Sequence, residues 1–410
     1  MKWNCRILGT DHRWTCRVAV RMLAAMSHPD TAVPAPTSSV WLNPGARGWT
    51  CGHRETCQEF HTRLPGYTPT PLRDVPDLAR RLGVGTVLVK DESRRLDLPA
   101  FKILGASWGS YRALCQRMGE EPHWDSLAEL AARVGSFGGL HLVAATAGNH
   151  GRAVARMAHW LGLPSTVLVP SVVSDRKAAA IAGEGATVRR TDESYDQAVR
   201  MAADLAAQDD RYVLVQDTSW PGYEQVPAWI IDGYRTLFAE IDEQVTSRRI
   251  DPPDLVVVPV GVGSLLSAAV QHFRVPTGPT SLTRPALLAV EPTTAACLLT
   301  SLRAGSPVVV PTGTTVMEGL NAGTVSSAAW PLLRDGLDAA VAVTDEAALA
   351  AGRELGCLGV DAGACGAATL AGVSAVLSGP DGDTVRQALG LTARSTVILV
   401  STDGPTAADS

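Results

Sequence analysis

The sequence predicts an α/β protein of two lobes, each built on a parallel twisted sheet flanked by helices. Two observations indicate this fold class. Short runs that are apolar throughout alternate with helical segments, which is typical of βαβ units whose sheets are buried on both faces. The chain also has 410 residues, of which 46% are apolar and 19% charged. This size and composition suit two well-packed lobes that share one cleft.

The order of the segments divides the chain into three parts. Residues 1–42 are expected to form a poorly ordered extension, because they show no regular pattern. Within them, Arg17–Met26 faintly resembles a signal peptide, but no small-residue cleavage site follows. Residues 43–105 and 223–410 are expected to form the larger lobe, and residues 106–222 the smaller lobe.

Strands and helices are distinguished by the length and continuity of their apolar runs. Strands are predicted at Val84–Val89, His141–Thr146, Ser165–Val169, Ala186–Arg190, Tyr212–Val215, Asp254–Pro259, Ala286–Val290, Val341–Val343 and Thr396–Val400. Helices are predicted at Ala106–Met118, His150–Leu161, Ser174–Gly183, Tyr195–Ala207, Tyr223 to about Val245, Leu265–His272, Asp345–Leu355 and Cys365–Leu377. The segments Pro276–Pro285 and Gly305–Thr314, rich in Gly, Pro and Thr, are expected to be loops.

Composition argues against several classes of function. The net charge is −5 and no basic run occurs, so neither nucleic-acid nor membrane-surface binding is expected. No window approaches the ~18 uninterrupted apolar residues of a spanning helix. The eight cysteines form no C-x-x-C pair and no zinc-like spacing, so we expect buried thiols in a reducing cytoplasm and no metal site.

Two segments in the first half of the chain carry candidate chemistry. Lys90-Asp91-Glu92-Ser93 is followed by Ala100-Phe101-Lys102, although a lone lysine after an aromatic residue is uninformative, since lysine is mostly exposed. Asn149 and His150 lie in a Gly-Asn-His-Gly turn after an apolar strand. An ordinary turn has the same composition.

Two further segments lie in the second half. The turn Gly261-Val262-Gly263-Ser264 joins a strand to a helix, where backbone N–H groups can cradle a phosphate. It is neither a full dinucleotide fingerprint nor a P-loop. Ser401-Thr402-Asp403-Gly404 follows the last strand. In open parallel sheets, ligands bind at the carboxyl ends of strands, where such turns lie.

Taken together, the order and spacing of these segments resemble the tryptophan-synthase-β-like (fold type II) family of pyridoxal-phosphate (PLP) enzymes, and within it the diaminopropionate ammonia-lyases. The resemblance runs from about Asn43 to Thr406, and Asp217-Thr218-Ser219-Trp220-Pro221-Gly222-Tyr223 is its most specific piece. The other matching motifs are Tyr67–Leu72, Val89–Ser93, Ala100–Lys102, Gly261–Ser264 and Thr315–Leu320.

The resemblance implies a role for each candidate residue. Lys102 would hold PLP through a Schiff base and then remove the α-proton of an amino acid, with PLP as the electron sink. Asn149 would bind the ring hydroxyl, and Ser401 or Thr402 would face the pyridine nitrogen. The phosphate would be bound by the backbone N–H groups of Gly261, Val262, Gly263 and Ser264.

Asp217 matches an active-site acid of the ammonia-lyases, and its carboxylate would bind a cationic leaving group. Alternatively, Asp217 caps a helix that begins near Trp220. His150 is expected to stabilise its turn or lie near the phosphate, and Glu291 to help hold the cofactor face. Packing roles are expected for Cys365, Trp220 and Trp229.

The sequence departs from the family at three acidic positions. Ala147 replaces the acid of the family's Thr-Asp-Gly-Asn-His-Gly turn, and because alanine accepts no proton, turnover of D-isomers is in doubt. Ala364 replaces a glutamate, and Pro405 replaces an acid. Glu318, where the family commonly has alanine, is either a gained pocket acid or a solvated loop carboxylate. A doubly cationic substrate suits such a pocket poorly, so an altered substrate is expected.

Three functions remain open at this point. The leading one is a PLP-dependent lyase that performs α,β-elimination on an amino acid and gives a 2-oxo acid and ammonia. The second is a β-replacement synthase acting through an aminoacrylate. The third is a non-catalytic PLP-binding homologue, against which Lys102 argues. The expected partners are a small amino acid and a second copy of the chain in a homodimer.

Overall fold

The computed structural model describes residues 40–52, 57–146, 148–275 and 284–405, with the side chain of residue 196 excepted. Residues 1–39 of the predicted extension, Ala147 and most of the predicted loop Pro276–Pro285 lie outside the described residues. In the described part of the chain, no helix is both long and apolar enough to cross a bilayer.

The described strands form two sheets. In chain order the strands are β1 (Val40–Leu42), β2 (Leu72–Asp74), β3 (Thr86–Asp91), β4 (His141–Ala145), β5 (Ser165–Pro170), β6 (Thr187–Thr191), β7 (Tyr212–Leu214), β8 (Leu255–Pro259), β9 (Ala286–Pro292), β10 (Ala339–Val343) and β11 (Thr396–Ser401). The larger sheet has the order β1-β10-β9-β8-β11-β3-β2, and the smaller sheet has the order β6-β5-β4-β7.

Parallel pairing dominates both sheets. Every pair in the smaller sheet is parallel, and the five central strands of the larger sheet are parallel to one another. The edge strands β1 and β2 run antiparallel to their neighbours. The predicted α/β architecture with parallel sheets is thereby confirmed.

Helices flank both sheets. They are α1 (Gln58–Thr62), α2 (Pro76–Leu82), α3 (Lys102–Met118), α4 (Leu127–Ser136), α5 (Asn149–Trp160), α6 (Asp175–Gly183), α7 (Tyr195–Ala207), α8 (Gln225–Ser247), α9 (Ser264–Phe273), α10 (Cys297–Ala304), α11 (Trp330–Gly336), α12 (Asp345–Cys357), α13 (Ala364–Ser378) and α14 (Gly382–Leu389). Three short 3₁₀ turns occur at Ala46–Gly48, Thr293–Ala295 and Glu318–Leu320.

Several short elements depart from the sequence prediction. Residues 40–42, assigned to the poorly ordered extension, form the edge strand β1, which pairs with β10. A strand of three half-buried residues is too short to show any periodicity. Six of the described helices were not predicted, and each has ten residues or fewer: α1, α2, α4, α10, α11 and α14.

Each face of the larger sheet contacts its own hydrophobic cluster. On β3, Leu88 packs into one cluster, whereas Val87 and Val89 pack into the other, because successive strand residues face opposite sides of a sheet. All three side chains are fully buried. Burial on both faces explains why the strands are continuous apolar runs.

Helix α3 packs closely on α8, and two glycines make this possible. A Cβ on Gly105 would lie 2.4 Å from the ring of Tyr234, and a Cβ on Gly233 would lie 2.6 Å from the carbonyl oxygen of Leu104. Neither position therefore has room for a side chain. This contact fixes the start of α3, where Lys102 is the first residue.

Candidate active site

Lys102 lies where the end of the larger sheet meets the start of α3. The N–H of Phe101 donates to the carbonyl of Thr402 at 3.3 Å, and Ala100 forms an isolated bridge with Asp403. The first and fourth predicted segments are therefore joined by backbone contacts. Helix α3 begins four residues before the predicted start at Ala106.

The ammonium of Lys102 is paired with the carboxylate of Asp217. Nζ donates to Oδ2 at 2.8 Å, and the side chains are 21% and 9% exposed. Burial alone would lower the pKa of Lys102, but the charge of Asp217 raises it above its usual value. Burial alone would raise the pKa of Asp217, but its interactions with the neighbouring His150 and with the Lys102 ammonium hold that pKa below its usual range. The pair is therefore ionised at neutral pH.

Asp217 is held by a loop that is tied down on both sides. The N–H of Gln216 donates to the hydroxyl of Tyr223 at 3.0 Å, and this hydroxyl donates to the carbonyl of Leu214 at 2.9 Å. The hydroxyl of Ser264 donates to the carbonyl of Asp217 at 3.0 Å. Asp217 caps no helix, since α8 begins at Gln225 with Glu224 at its N-cap position.

His150 contacts the other side of Asp217. Its Nε2 donates to the carbonyl of Val215 at 2.9 Å, and its Nδ1 lies 3.8 Å from Asp217 Oδ2. Burial lowers the pKa of His150, an effect that Asp217 opposes and Lys102 reinforces. The preceding residue, Asn149, is exposed at the start of α5, so its amide is accessible to a ligand.

The predicted phosphate turn leads from β8 into α9. Ser264 is the first residue of α9, and the first N–H groups of a helix have no partner within the helix. A Cβ on Gly261 would lie 3.0 Å from the carbonyl oxygen of Gly319, and Gly263 has a φ of +99°. Both glycines are thus required by the backbone path, which leads into the start of α9, where N–H groups without a partner in the helix can bind an anion.

Ser401 and Thr402 differ in their hydrogen bonding. The Ser401 hydroxyl is buried and has no hydrogen-bond partner among the described residues. The Thr402 hydroxyl donates to Asp403 Oδ1 at 3.3 Å. A Cβ on residue 366 would lie 2.6 Å from Ser401 Oγ. A larger residue in place of Gly366 would therefore clash with this hydroxyl. Of the two candidates, Ser401 has the hydroxyl that is available to a ring nitrogen.

Two glutamates that the sequence singled out are engaged with protein groups. Glu318 is 57% exposed and forms an ion pair with Lys177 of α6, which matches the expectation of a surface carboxylate. Glu291 is fully buried and accepts the N–H groups of Leu298 and Leu299, both at 2.8 Å. It therefore caps the start of α10. Burial raises the pKa of Glu291 to about 7.

Asp403, which belongs to the fourth candidate segment, has a contact that the sequence did not predict. Oδ1 of Asp403 accepts the N–H of Gly366 at 2.7 Å, and Gly363, at the N-cap of α13, hydrogen-bonds to the carbonyl of Asp403. A carboxylate thus lies at the start of α13, close to where Ala364 replaces the family's glutamate. The sequence could not predict this contact, because Gly366 and Asp403 belong to separate segments.

Other motif residues stabilise the fold and do not reach the Lys102 pair. Lys90 and Arg95 are fully buried and bind Glu240 of α8 at 2.6 Å each, and Arg95 also binds Glu92 at 2.6 Å. The Lys-Asp-Glu-Ser motif therefore anchors β3 to α8. The residues expected to pack do make packing contacts. The Trp220 ring stacks on Tyr223 with 4.4 Å between ring centroids, and the Trp229 ring lies 5.4 Å from the Arg112 guanidinium. Cys365 is buried beside Gly319.

The geometry defines a class of protein: an α/β protein in which a lysine is paired with a buried acid beside a glycine turn at the start of a helix. The described residues include no cluster of three side chains that could hold a metal ion. Pyridoxal phosphate fits the arrangement, since the Ser401 hydroxyl, which has no partner among the described residues, could serve its ring nitrogen and the helix start after Gly261–Ser264 could serve its phosphate.

The chain belongs to the family of pyridoxal-phosphate dependent enzymes, whose model matches residues 63–402. The diaminopropionate ammonia-lyase of Salmonella typhimurium (strain LT2) is 34% identical over 368 residues, which cover 85% of this chain and 88% of that enzyme. The solved diaminopropionate ammonia-lyase of Escherichia coli in complex with D-serine has a TM-score of 0.80 at 31% identity, covering 90% of this chain and 94% of that chain.

A more distant structure shares the fold. Maize serine racemase is 23% identical, has a TM-score of 0.68 and covers 85% of this chain and 92% of its own. The predicted cofactor, pyridoxal phosphate, and the predicted enzyme class, a PLP-dependent lyase, are confirmed by the similarity to the ammonia-lyases.

Proposed function

We propose that the protein is an ammonia-lyase that performs α,β-elimination on an L-configured amino acid and releases a 2-oxo acid and ammonia. The observation that carries this proposal is the 2.8 Å contact between Lys102 Nζ and Asp217 Oδ2. It joins the one candidate for cofactor attachment to a buried acid. The pairing of an amine with a carboxylate at this position suits the transfer of an α-proton and the binding of a cationic β-substituent.

The remaining residues position the cofactor in this proposal. Lys102 holds it covalently, Asn149 binds the ring hydroxyl, and Ser401 faces the ring nitrogen. The backbone turn Gly261–Ser264 binds the phosphate. When bound, the cofactor supplies an electron sink for the bond that breaks at the α-carbon. A neutral hydroxyl at the ring nitrogen, in place of a carboxylate, favours elimination over transamination.

The tasks of Lys102 and Asp217 follow from their positions. Lys102 removes the α-proton on the face from which it releases the cofactor. Before it takes this proton, the released Lys102 is a neutral amine, so Asp217 has no ammonium beside it at that stage and can bind the β-substituent of the substrate. A buried carboxylate selects a cationic or hydrogen-bond-donating group at this place, because an unpaired buried charge is unfavourable.

We further propose that D-isomers are not turned over. The acid that the family carries in the Asn149 turn is replaced by Ala147, and a methyl group accepts no proton from the opposite face. The loss of acids at Ala147, Ala364 and Pro405 also supports a substrate other than 2,3-diaminopropionate.

A substrate screen tests these proposals. Purified holoenzyme is assayed for 2-oxo acid and ammonia with L- and D-2,3-diaminopropionate, L- and D-serine, and L-threonine. We expect release from at least one L-amino acid, no release from D-isomers, and no activity in Lys102→Ala. Equal turnover of D- and L-2,3-diaminopropionate would refute the stereochemical proposal, and absence of release from every amino acid would refute the lyase.

We also propose a homodimer in the cytoplasm. The compartment is supported by Cys57, Cys115, Cys297 and Cys357, which are all thiols, because disulfides are rare in reducing compartments. Light scattering on the purified protein tests the dimer, and a monomeric mass at micromolar concentration would contradict it.

A further inference from the structure

The imidazole of His150 is buried beside Asp217 with one nitrogen unused. His150 is 4% exposed. Its Nε2 donates to the carbonyl of Val215 at 2.9 Å, whereas Nδ1 has no hydrogen-bond partner among the described residues. This Nδ1 atom lies 3.8 Å from Oδ2 of Asp217. The same oxygen accepts a hydrogen bond from Lys102 Nζ at 2.8 Å.

This arrangement defines the tautomer. A carbonyl oxygen only accepts, so Nε2 carries the proton, and a neutral imidazole then has a lone pair on Nδ1. A lone pair facing a carboxylate oxygen forms no hydrogen bond, which accounts for the 3.8 Å separation between the two atoms. A proton on Nδ1 would convert this contact into a charge-assisted hydrogen bond.

Asp217 needs a positive neighbour at all times, because a buried carboxylate without one is strongly disfavoured. Lys102 provides that charge while it is an ammonium. An amine is nucleophilic only after it has lost this proton, and Asp217 then lacks its cation. His150 Nδ1 is the remaining proton acceptor within reach of the same oxygen.

We propose that His150 is the alternate cation of Asp217: Nδ1 takes up a proton when Lys102 loses its positive charge. One N–H bond breaks at Lys102 Nζ and one N–H bond forms at His150 Nδ1, with Asp217 Oδ2 between them and no change in total charge. His150 is thus a positioning residue that acts through Asp217. Delivery of the stored proton to a departing amine rests on the proposed elimination, whereas the proton transfer itself does not.

The other titratable groups that interact with Asp217 do not supply the alternate positive charge. Tyr223 and Tyr234 also interact with Asp217, but burial raises the pKa of both phenols far above neutrality, so they stay neutral. The elements packed around His150 thus contribute two charges that face it, Lys102 from α3 and Asp217 from the loop after β7.

Histidine ¹⁵N NMR on the full-length, cofactor-stripped protein tests the transfer directly. In the wild type we expect His150 Nδ1 to stay unprotonated from pH 8 to pH 6. In Lys102→Met, which removes the charge and keeps the length of the side chain, we expect the pKa of His150 to rise by about one unit or more, a tenfold change in proton affinity. His150→Gln assigns the signal, since Gln Nε2 can still donate to Val215.

The controls separate the proposal from a general change in structure. The additional substitution Asp217→Asn in Lys102→Met should abolish the rise, and His141, which lies at the opposite end of β4 and binds Thr166 at 2.8 Å, should titrate identically in all variants. Lys102→Gln gives a second charge-free variant should Lys102→Met fold poorly.

Two outcomes would overturn the proposal: an Nδ1 that remains unprotonated in both charge-free variants, or a proton found on the Asp217 carboxyl. Neither outcome depends on which substrate is turned over. The proton-transfer proposal can therefore fail while the lyase proposal holds, and the lyase proposal can fail while the proton transfer is observed.

Discussion

Single hydroxyl and imidazole groups decide what this site can bind. Ser401 and Thr402 are neighbours with the same functional group, yet one hydroxyl is buried without a partner and the other donates to Asp403. An unpaired buried hydroxyl costs free energy in the absence of a ligand. The site therefore keeps an unfavourable group that a bound ring nitrogen would satisfy.

Ser401→Ala is predicted to weaken cofactor binding without harming the fold. The variant removes an unsatisfied hydroxyl, so the free energy of unfolding in the absence of cofactor should stay within about 0.5 kcal/mol of wild type. The affinity for pyridoxal phosphate should fall about 2- to 10-fold, the value of one hydrogen bond. Equilibrium dialysis and urea titration measure the two effects.

Ser110→Ala is the matched control for this prediction. Its hydroxyl is also buried and has no partner among the described residues, but it lies in the interior of α3, two turns from Lys102. Cofactor affinity should be unchanged in this variant. Equal losses of affinity in the two variants would contradict the role given to Ser401.

At the scale of elements, helix starts and helix contacts position the site. Lys102, His150 and Ser264 each lie at or near the first residue of a helix, and Asp217 contacts all three. Helix starts present N–H groups and a favourable field for anions. The convergence of three such ends provides a favourable field both for Asp217 and for the phosphate that is proposed to bind beside it.

The cap of α10 predicts a pH dependence of stability. The pKa of Glu291 is raised from 4.5 to about 7 by burial, so between these values the folded chain holds a proton that the unfolded chain has released. Stability contributed by this group therefore falls as pH rises from about 4.5 to about 7. Between these two pH values, the contribution of Glu291 to the free energy of unfolding falls by an amount on the order of 3 kcal/mol.

Glu291→Gln should reduce this dependence, because an amide does not titrate. Urea unfolding at several pH values between 4.5 and 7.5 measures it, with Glu193→Gln as an exposed control. A slope for Glu291→Gln that equals the wild-type slope would show that another group causes the dependence.

The α3–α8 contact predicts the cost of adding one methyl group. In Gly233→Ala the new Cβ meets the backbone of Leu104 at 2.6 Å, and backbone cannot move aside as a flexible side chain can. We expect a loss of about 1–3 kcal/mol in the free energy of unfolding. Gly356→Ala, also in a helix but with nothing within 4 Å of the new Cβ, should be neutral or stabilise by up to about 1 kcal/mol. Chemical denaturation compares the two variants.

On the scale of the whole molecule, the candidate site residues come from both sheets. Asn149 and His150 follow β4 of the smaller sheet, whereas Gly261–Ser264 follows β8 and Ser401 is the last residue of β11 in the larger sheet. The exposed pair of Lys177 and Glu318 is a further link between these parts of the chain, though exposed ion pairs contribute little to stability.

A ligand held from both sides should stabilise the molecule as a unit. We predict that pyridoxal phosphate raises the melting temperature in a concentration-dependent way, equivalent to about 2.7 kcal/mol at one hundred times its dissociation constant. Lys102→Ala should lose most of this effect, and His141→Gln, at the far end of β4, should keep it. Differential scanning calorimetry provides the measurement. An undiminished shift in Lys102→Ala would exclude covalent attachment at this residue.

Local signals in the sequence were sufficient for most of the strands and for the longer helices. Continuous apolar runs identified nine of the described strands, and most of the longer helices began and ended within a few residues of prediction. The roles expected of Lys102 and of the turn at Gly261–Ser264 came from the order and spacing of several motifs, which together resemble a known family, because each motif alone is uninformative.

Contacts between distant residues were decided by the tertiary structure alone. Lys102 and Asp217 are 115 positions apart, and the distances from Asp217 to His150 and Ser264 depend on how two sheets pack. Periodicity determines which face of an element is buried, but it contains no information on which side chains from separate elements meet. The identity of the chemical groups was thus set by the sequence, and their pairing, their pKa values and the unused nitrogen of His150 by the packing.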